Sequence, residues 1–223
     1  MIDSSMLSTA DTGTATTLPL HGAARPAAAY VGAWLLGLAL IPRGVTSADT
    51  ASAVATHYAS HRPAALAQIA AVHAVAGACL LVFARRVADH PAAASRRSLL
   101  RRSAGVVAVL SWAQAAAGAA MIVTAGHVAA GSTRMMLLGI ERVDAAKLVA
   151  LAGVCASGVS LARAGVAARW TGPASAAAAA VLLVAAVGLA GVAPLAPIAA
   201  PALVLLLVWV GGTGASMRRR VAA

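Results

Sequence analysis

Residues 63–83 read PAALAQIAAVHAVAGACLLVF, and Ala84-Arg85-Arg86 follow at once. The stretch holds no arginine, lysine, aspartate or glutamate, and Gln68 and His73 are its polar side chains. A helix apolar on every side has no face for water, and 21 residues at about 1.5 Å each cover a hydrocarbon core of about 30 Å. Strands are excluded, because the run lacks the alternation of apolar and polar positions that a membrane barrel requires. The stretch reads as a membrane-spanning helix closed by two arginines.

Five more segments of this kind lie at about 26–42, 104–125, 144–163, 173–192 and 197–214. Together they predict an all-α polytopic membrane protein, a bundle of six transmembrane helices over residues 26–217. The prolines between 194 and 201 make the last two segments either a tight hairpin or a re-entrant pair. Residues 1–25 are rich in Ser, Thr and Ala and lack the charged start and apolar core of a signal peptide. They read as a flexible cytoplasmic tail, and residues 218–223 as a basic one.

The whole composition agrees with that pattern. Of 223 residues 61% are apolar and 10% charged, with mean hydropathy +0.87; a soluble domain carries about 25% charge. The net charge is +11, and Lys147 is the sole lysine beside sixteen arginines. Heavy use of Arg, Ala, Gly and Val fits a high-GC bacterial genome. The arginines lie between apolar segments, where they orient the chain; no nucleic-acid partner is expected.

With the N-terminus inside, twelve arginines face the cytoplasm: Arg25, Arg85, Arg86, Arg96, Arg97, Arg101, Arg102, Arg163, Arg169 and Arg218 to Arg220. Arg43, Arg62, Arg134 and Arg142 face outward. Twelve to four predicts a plasma-membrane protein with both termini cytoplasmic. Its partners are then the bilayer and anionic lipid at the loop from Arg85 to Arg102. A protein partner or a homo-oligomer is also compatible.

Two outer loops remain. In Ile41 to Pro63, Thr46 or Ser47 is the expected cap of a short interfacial helix. In Gly126 to Asp144, Met135, Met136, Leu137 and Leu138 are expected to dip back into the headgroups. Glu141 and Asp144 read as acidic residues in the first turn of the fourth span.

The order of motifs is informative. An outer T-S-A-D…H-Y-A-S-H-R segment spans Thr46 to Arg62, and the second span ends L-L-V-F-A-R-R at Leu80 to Arg86. E-R-V-D-A-A-K precedes a small-residue run, A-A-R-W-T-G-P follows at Ala167 to Pro173, and a basic tail closes the chain. From about Ala27 to Arg220 this resembles a group of uncharacterised six-span membrane proteins of actinobacteria, filed as a domain of unknown function. The resemblance implies the six-span fold and brings no reaction, cofactor or catalytic residue.

Few residues are chemically unusual. His57 and His61 stand i, i+4 apart, so a helix puts both rings on one side and could offer them to a metal. The alternative is two interfacial polar side chains, since two ligands do not define a site. His73 lies mid-span with Ala70, Ala76 and Gly77 on its face. Gln114 lies on a stripe with Ser111 and Gly118, and Lys147 on one with Leu151, Cys155 and Gly158. Ionisable residues at that depth are functional candidates, so His73, Gln114 and Lys147 form a candidate intramembrane polar cluster. The competing reading makes His73 and Gln114 packing contacts, with Lys147 snorkelling outward and paired to Asp144.

Cys79 and Cys155 form no C-x-x-C motif and read as buried apolar groups. A b-type haem needs two facing histidines within spans, a diiron site needs histidine clusters, and a serine protease needs a histidine after its serine. None fits this distribution. The expected role is non-enzymatic, a small-solute permease or a membrane partner subunit, without cofactor. The alternative is a membrane-embedded metal-dependent enzyme using His57 and His61.

Overall fold

The computed structural model describes residues 21–41 and 44–219. The expected tail before residue 21, Pro42, Arg43 and the end of the basic tail from Arg220 lie outside the described residues. Among the described residues eight α-helices follow one another: α1 (His21–Leu40), α2 (Ala51–Ser60), α3 (Arg62–Ile69), α4 (Ala76–Ala88), α5 (Arg97–Thr124), α6 (Ala130–Arg163), α7 (Thr171–Leu189) and α8 (Ala199–Arg219). A π-helical turn, Ala70–Val75, joins α3 to α4 without a break. Short 3-10 turns, Pro91–Arg96 and Ala193–Ile198, lead into α5 and α8. Counting α3, the π turn and α4 as one span, six helices among the described residues are long and apolar enough to cross a membrane. The last two are helices of their own, α7 and α8, so the prolines form a turn between two spans.

Each long helix packs mainly against two others, in the order α1, α4, α5, α6, α7, α8 and back to α1. The spans thus close into a ring. Buried Tyr30, Leu80, Phe83, Cys155, Leu182 and Trp209 belong to the large apolar cluster within it. One end carries the arginines between α4 and α5 and the α6–α7 turn, and there Arg96 Nε donates to Ser160 Oγ at 3.3 Å. At the other end, Arg62 Nη2 donates to the Ala125 carbonyl at 3.1 Å, and α2 lies across the helices. A second, smaller cluster sits under α2: Ile41, Val54, Ala65, Met121, Ile122 and Leu137. Outside the ring, Leu35, Leu36, Val109, Val149, Val204 and Val208 are exposed along the spans. An apolar belt of that kind is the surface lipid covers.

Three local features differ from the reading of the sequence. The fourth span begins at Ala130 rather than near Asp144, and α6 runs unbroken for 34 residues, about 50 Å at 1.5 Å per residue. The expected loop is helical because it has tertiary partners. Leu137 packs with Val54 in the smaller cluster, Ser47 binds Glu141, and Arg134 Nε donates to the Ser47 carbonyl at 2.7 Å. Glu141 and Asp144 therefore stand mid-helix, and Met135 is exposed on α6 while Leu137 is buried. At α2, Thr50 is the N-cap and accepts from the Ala53 amide at 3.3 Å, whereas Thr46 turns back to Asp49 and Ser47 reaches α6. Finally, the π turn adds a residue to one helical turn, which leaves Ala70 exposed while Ala76 and Gly77 are buried.

Candidate functional site

His73 sits inside the π turn, Gln114 midway along α5, and Asp144 and Lys147 one turn apart on α6. The sequence supplies the reason each points inward. On α5, Ser111, Gln114 and Gly118 recur at helical spacing and are all buried. On α6, Lys147 shares its face with buried Leu151, Cys155 and Gly158. The π turn rotates His73 relative to a regular helix, and π turns of this kind often mark functional positions.

The four side chains meet at one atom. Lys147 Nζ lies 2.6 Å from Gln114 Oε1, 2.6 Å from Asp144 Oδ1 and 3.3 Å from His73 Nδ1. An ammonium has three N–H donors, and three acceptors surround this one. Because lysine only donates, His73 Nδ1 accepts here, which places the imidazole proton on Nε2. Gln114 completes its own bonding by donating from Nε2 to the Ile140 carbonyl at 3.1 Å. His73 and Gln114 are thus joined through Lys147 rather than bonded to each other. Lys147 does pair with Asp144, yet it does not snorkel: its side chain is 5% exposed and that of Asp144 30%. The carboxylate is the more exposed partner and the ammonium the buried one.

The surroundings of the cluster differ on its two sides. One turn before Asp144, Glu141 accepts from the amide of Ser47 at 2.9 Å and from its hydroxyl. Burial and the nearby Glu141 carboxylate raise the pKa of the Tyr58 phenol. These groups line the α2 end. In the other direction Leu80, Leu151, Val154 and Cys155 are buried and apolar. The cluster is a polar layer between the two apolar clusters, and Asp144 is its more exposed member next to Lys147.

The outer histidines have a different setting. His57 and His61 stand with ring centroids 5.0 Å apart. His61 Nδ1 lies 3.0 Å from both the His57 carbonyl and Ser60 Oγ, which occupies that nitrogen locally. Among the described residues no three His, Cys, Asp or Glu side chains converge as a metal group. Cys155 is buried, Cys79 half-buried, and both are free thiols. The bonds from Ser47 and Arg134 across the α2 end were not read from the sequence, since nothing local signals a contact spanning some ninety residues. The i, i+3 repeat of Glu141, Asp144 and Lys147 was the available sign that α6 extends upward.

No family model, curated protein or solved structure matches this chain.

Proposed function

We propose that this chain is a non-enzymatic small-solute permease of the plasma membrane and that Lys147 binds the negative group of its solute. The observation carrying this reading is a single buried ammonium, held by Gln114 and His73, whose counter-ion Asp144 is the more exposed partner. Burying an ion pair stabilises a fold no better than apolar residues of equal volume, so such a pair is poorly explained by packing. A small carboxylate that reaches Lys147 can take the place of Asp144 on its ammonium. Gln114 then holds the ammonium in position, and His73 accepts from it on the opposite side.

The twelve-to-four division of arginines supports an orientation with both termini cytoplasmic and the α2 end outside. Alkaline phosphatase fused after Arg97 is then inactive and fused after Arg134 active, and the reverse pattern removes the orientation. The arginine loop from Arg85 to Arg102 meets anionic headgroups in the same arrangement.

The permease reading is tested in proteoliposomes by exchange of labelled acetate, lactate and pyruvate. The wild-type chain is expected to exchange at least one of them, and Lys147→Met to lose that exchange at least tenfold while still melting cooperatively in detergent. Equal rates in wild type, Lys147→Met and empty vesicles for all three would overturn it.

A further inference from the structure

A second feature lies at the opposite end of the bundle and is independent of Lys147. A cleft of about 520 Å³ opens between α6 and α7, with Val159, Ala162, Pro173 and Ala176 on its walls and Arg163 and Arg169 at its rim. A tight turn builds it. Gly165, with φ of +72°, closes α6; its amide donates to the Ala162 carbonyl at 3.1 Å, and the Val166 amide donates to Leu161 at 3.0 Å. This is the Schellman arrangement, whose left-handed residue favours glycine. Val166 and Leu161 are both buried beneath it. The turn is thereby anchored, and it brings Arg169 back beside Arg163, the last residue of α6.

Neither guanidinium has a hydrogen bond or an acidic partner among the described residues, and both are exposed. The start of α7 offers little to an anion, because the Thr171, Gly172 and Ala174 amides already donate to Ala168, Arg169 and Trp170. Recognition therefore falls to the two arginines. Beside them Trp170 is 48% exposed, and tryptophan at the end of a span marks the headgroup level. The walls below are apolar: Pro173 and Ala176 are exposed, Val159 and Ala162 half-buried. A soluble anion would use the rim and leave those walls bare. A molecule with a negative head and a hydrocarbon tail uses both, and a volume of about 520 Å³ lies within the range of ligand pockets.

We propose that this cleft binds one anionic phospholipid, its phosphate between Arg163 and Arg169 and the start of its chains along Val159, Ala162 and Ala176. Basic clefts between spans are a recurrent form of headgroup site. The test is native mass spectrometry of the full chain in detergent, titrated with phosphatidylglycerol or with phosphatidylcholine of the same chains. One phosphatidylglycerol is expected to stay bound in preference to phosphatidylcholine. Arg163→Gln with Arg169→Gln should weaken it about thirty-fold. Arg134→Gln with Arg142→Gln, a loss of equal charge at the opposite, α2 end, should leave it bound as in wild type. Ala176→Trp fills the cleft with both arginines intact and should also expel the lipid. Equal retention of the two lipids, equal loss in both arginine pairs, retention in Ala176→Trp, or displacement by millimolar inorganic phosphate would each overturn the proposal.

Discussion

In the half of the bundle nearer α2, α6 meets α5 and the π turn through charge and hydrogen bonds, with Lys147 at the centre of Asp144, Gln114 and His73. In the half nearer the arginines, the same helix meets α7 and α8 through missing bulk. There Trp209 Nε1 donates to Ser175 Oγ at 2.6 Å, Ser175 Oγ donates to the Thr171 carbonyl at 2.6 Å, and Gly158 lies directly against both side chains. A Cβ on Gly158 would stand 2.8 Å from Trp209 Cζ2 and closer still to Ser175 Oγ. The contrast shows two ways to join helices where lipid removes the hydrophobic drive between them: close approach of small residues, and satisfaction of polar groups that cannot reach water. The first tolerates no added volume, the second no unpaired charge.

The largest effect should come from volume in the arginine half. Gly158→Leu is expected to destabilise by about 3 kcal/mol, because Trp209 and Ser175 are both buried and neither can move aside. Its thermal melt in detergent reads this directly; a melt like wild type would break the contrast. A charge change in the α2 half comes next. Asp144→Asn strands a buried ammonium and should cost about 2 kcal/mol, less than for a fully buried pair because Asp144 is partly exposed. Lys147→Met should cost only about 1 kcal/mol, since it removes the buried charge and leaves Asp144 to water. The order of those two melts is the sharper measurement, and the reverse order would mean that Asp144 is the buried partner.

The smallest effect is a pH dependence confined to α2. Burial and the neighbouring His61 lower the His57 pKa below its ordinary value of 6.5. A base with a lowered native pKa is protonated first in the unfolded chain. The contribution of α2 is therefore complete above pH 6.5 and falls as pH drops through 6.5 toward the lowered value. The protection of the Val54 to Tyr58 amides against hydrogen exchange, taken relative to their intrinsic rates, should fall over that window, and His57→Gln should flatten the response. A flat wild-type profile would show that α2 senses no proton.

Much of the candidate site was legible. His73, Gln114 and Lys147 stand out because ionisable and amide side chains are rare in spans, and their stripes of small residues indicate an inward face. The order of bonding was not legible. His73 reaches Lys147 only because a π turn shifts its register, and no feature of AAVHAV sets it apart from a regular helical turn. Nor does the α6–α7 cleft show in the sequence, where Arg163 and Arg169 read as two topology-setting charges among twelve.

What the sequence determined by itself is the number of spans and their helical nature, because both follow from run length and hydropathy within each segment. Backbone groups in lipid must bond within their own helix, so each span is decided locally. The upper half of α6 is the opposite case. Residues 130–143 mix arginine, glutamate, methionine and glycine, and no window of them is apolar enough to read as a span. They are helical because Val54, Ser47 and the Ala190 carbonyl, all distant in the chain, supply partners for Leu137, Glu141 and Arg142. The depth of Lys147 has the same origin. A lysine that would otherwise reach for water stays inside because α5 and the π turn present two acceptors that complete the one from Asp144.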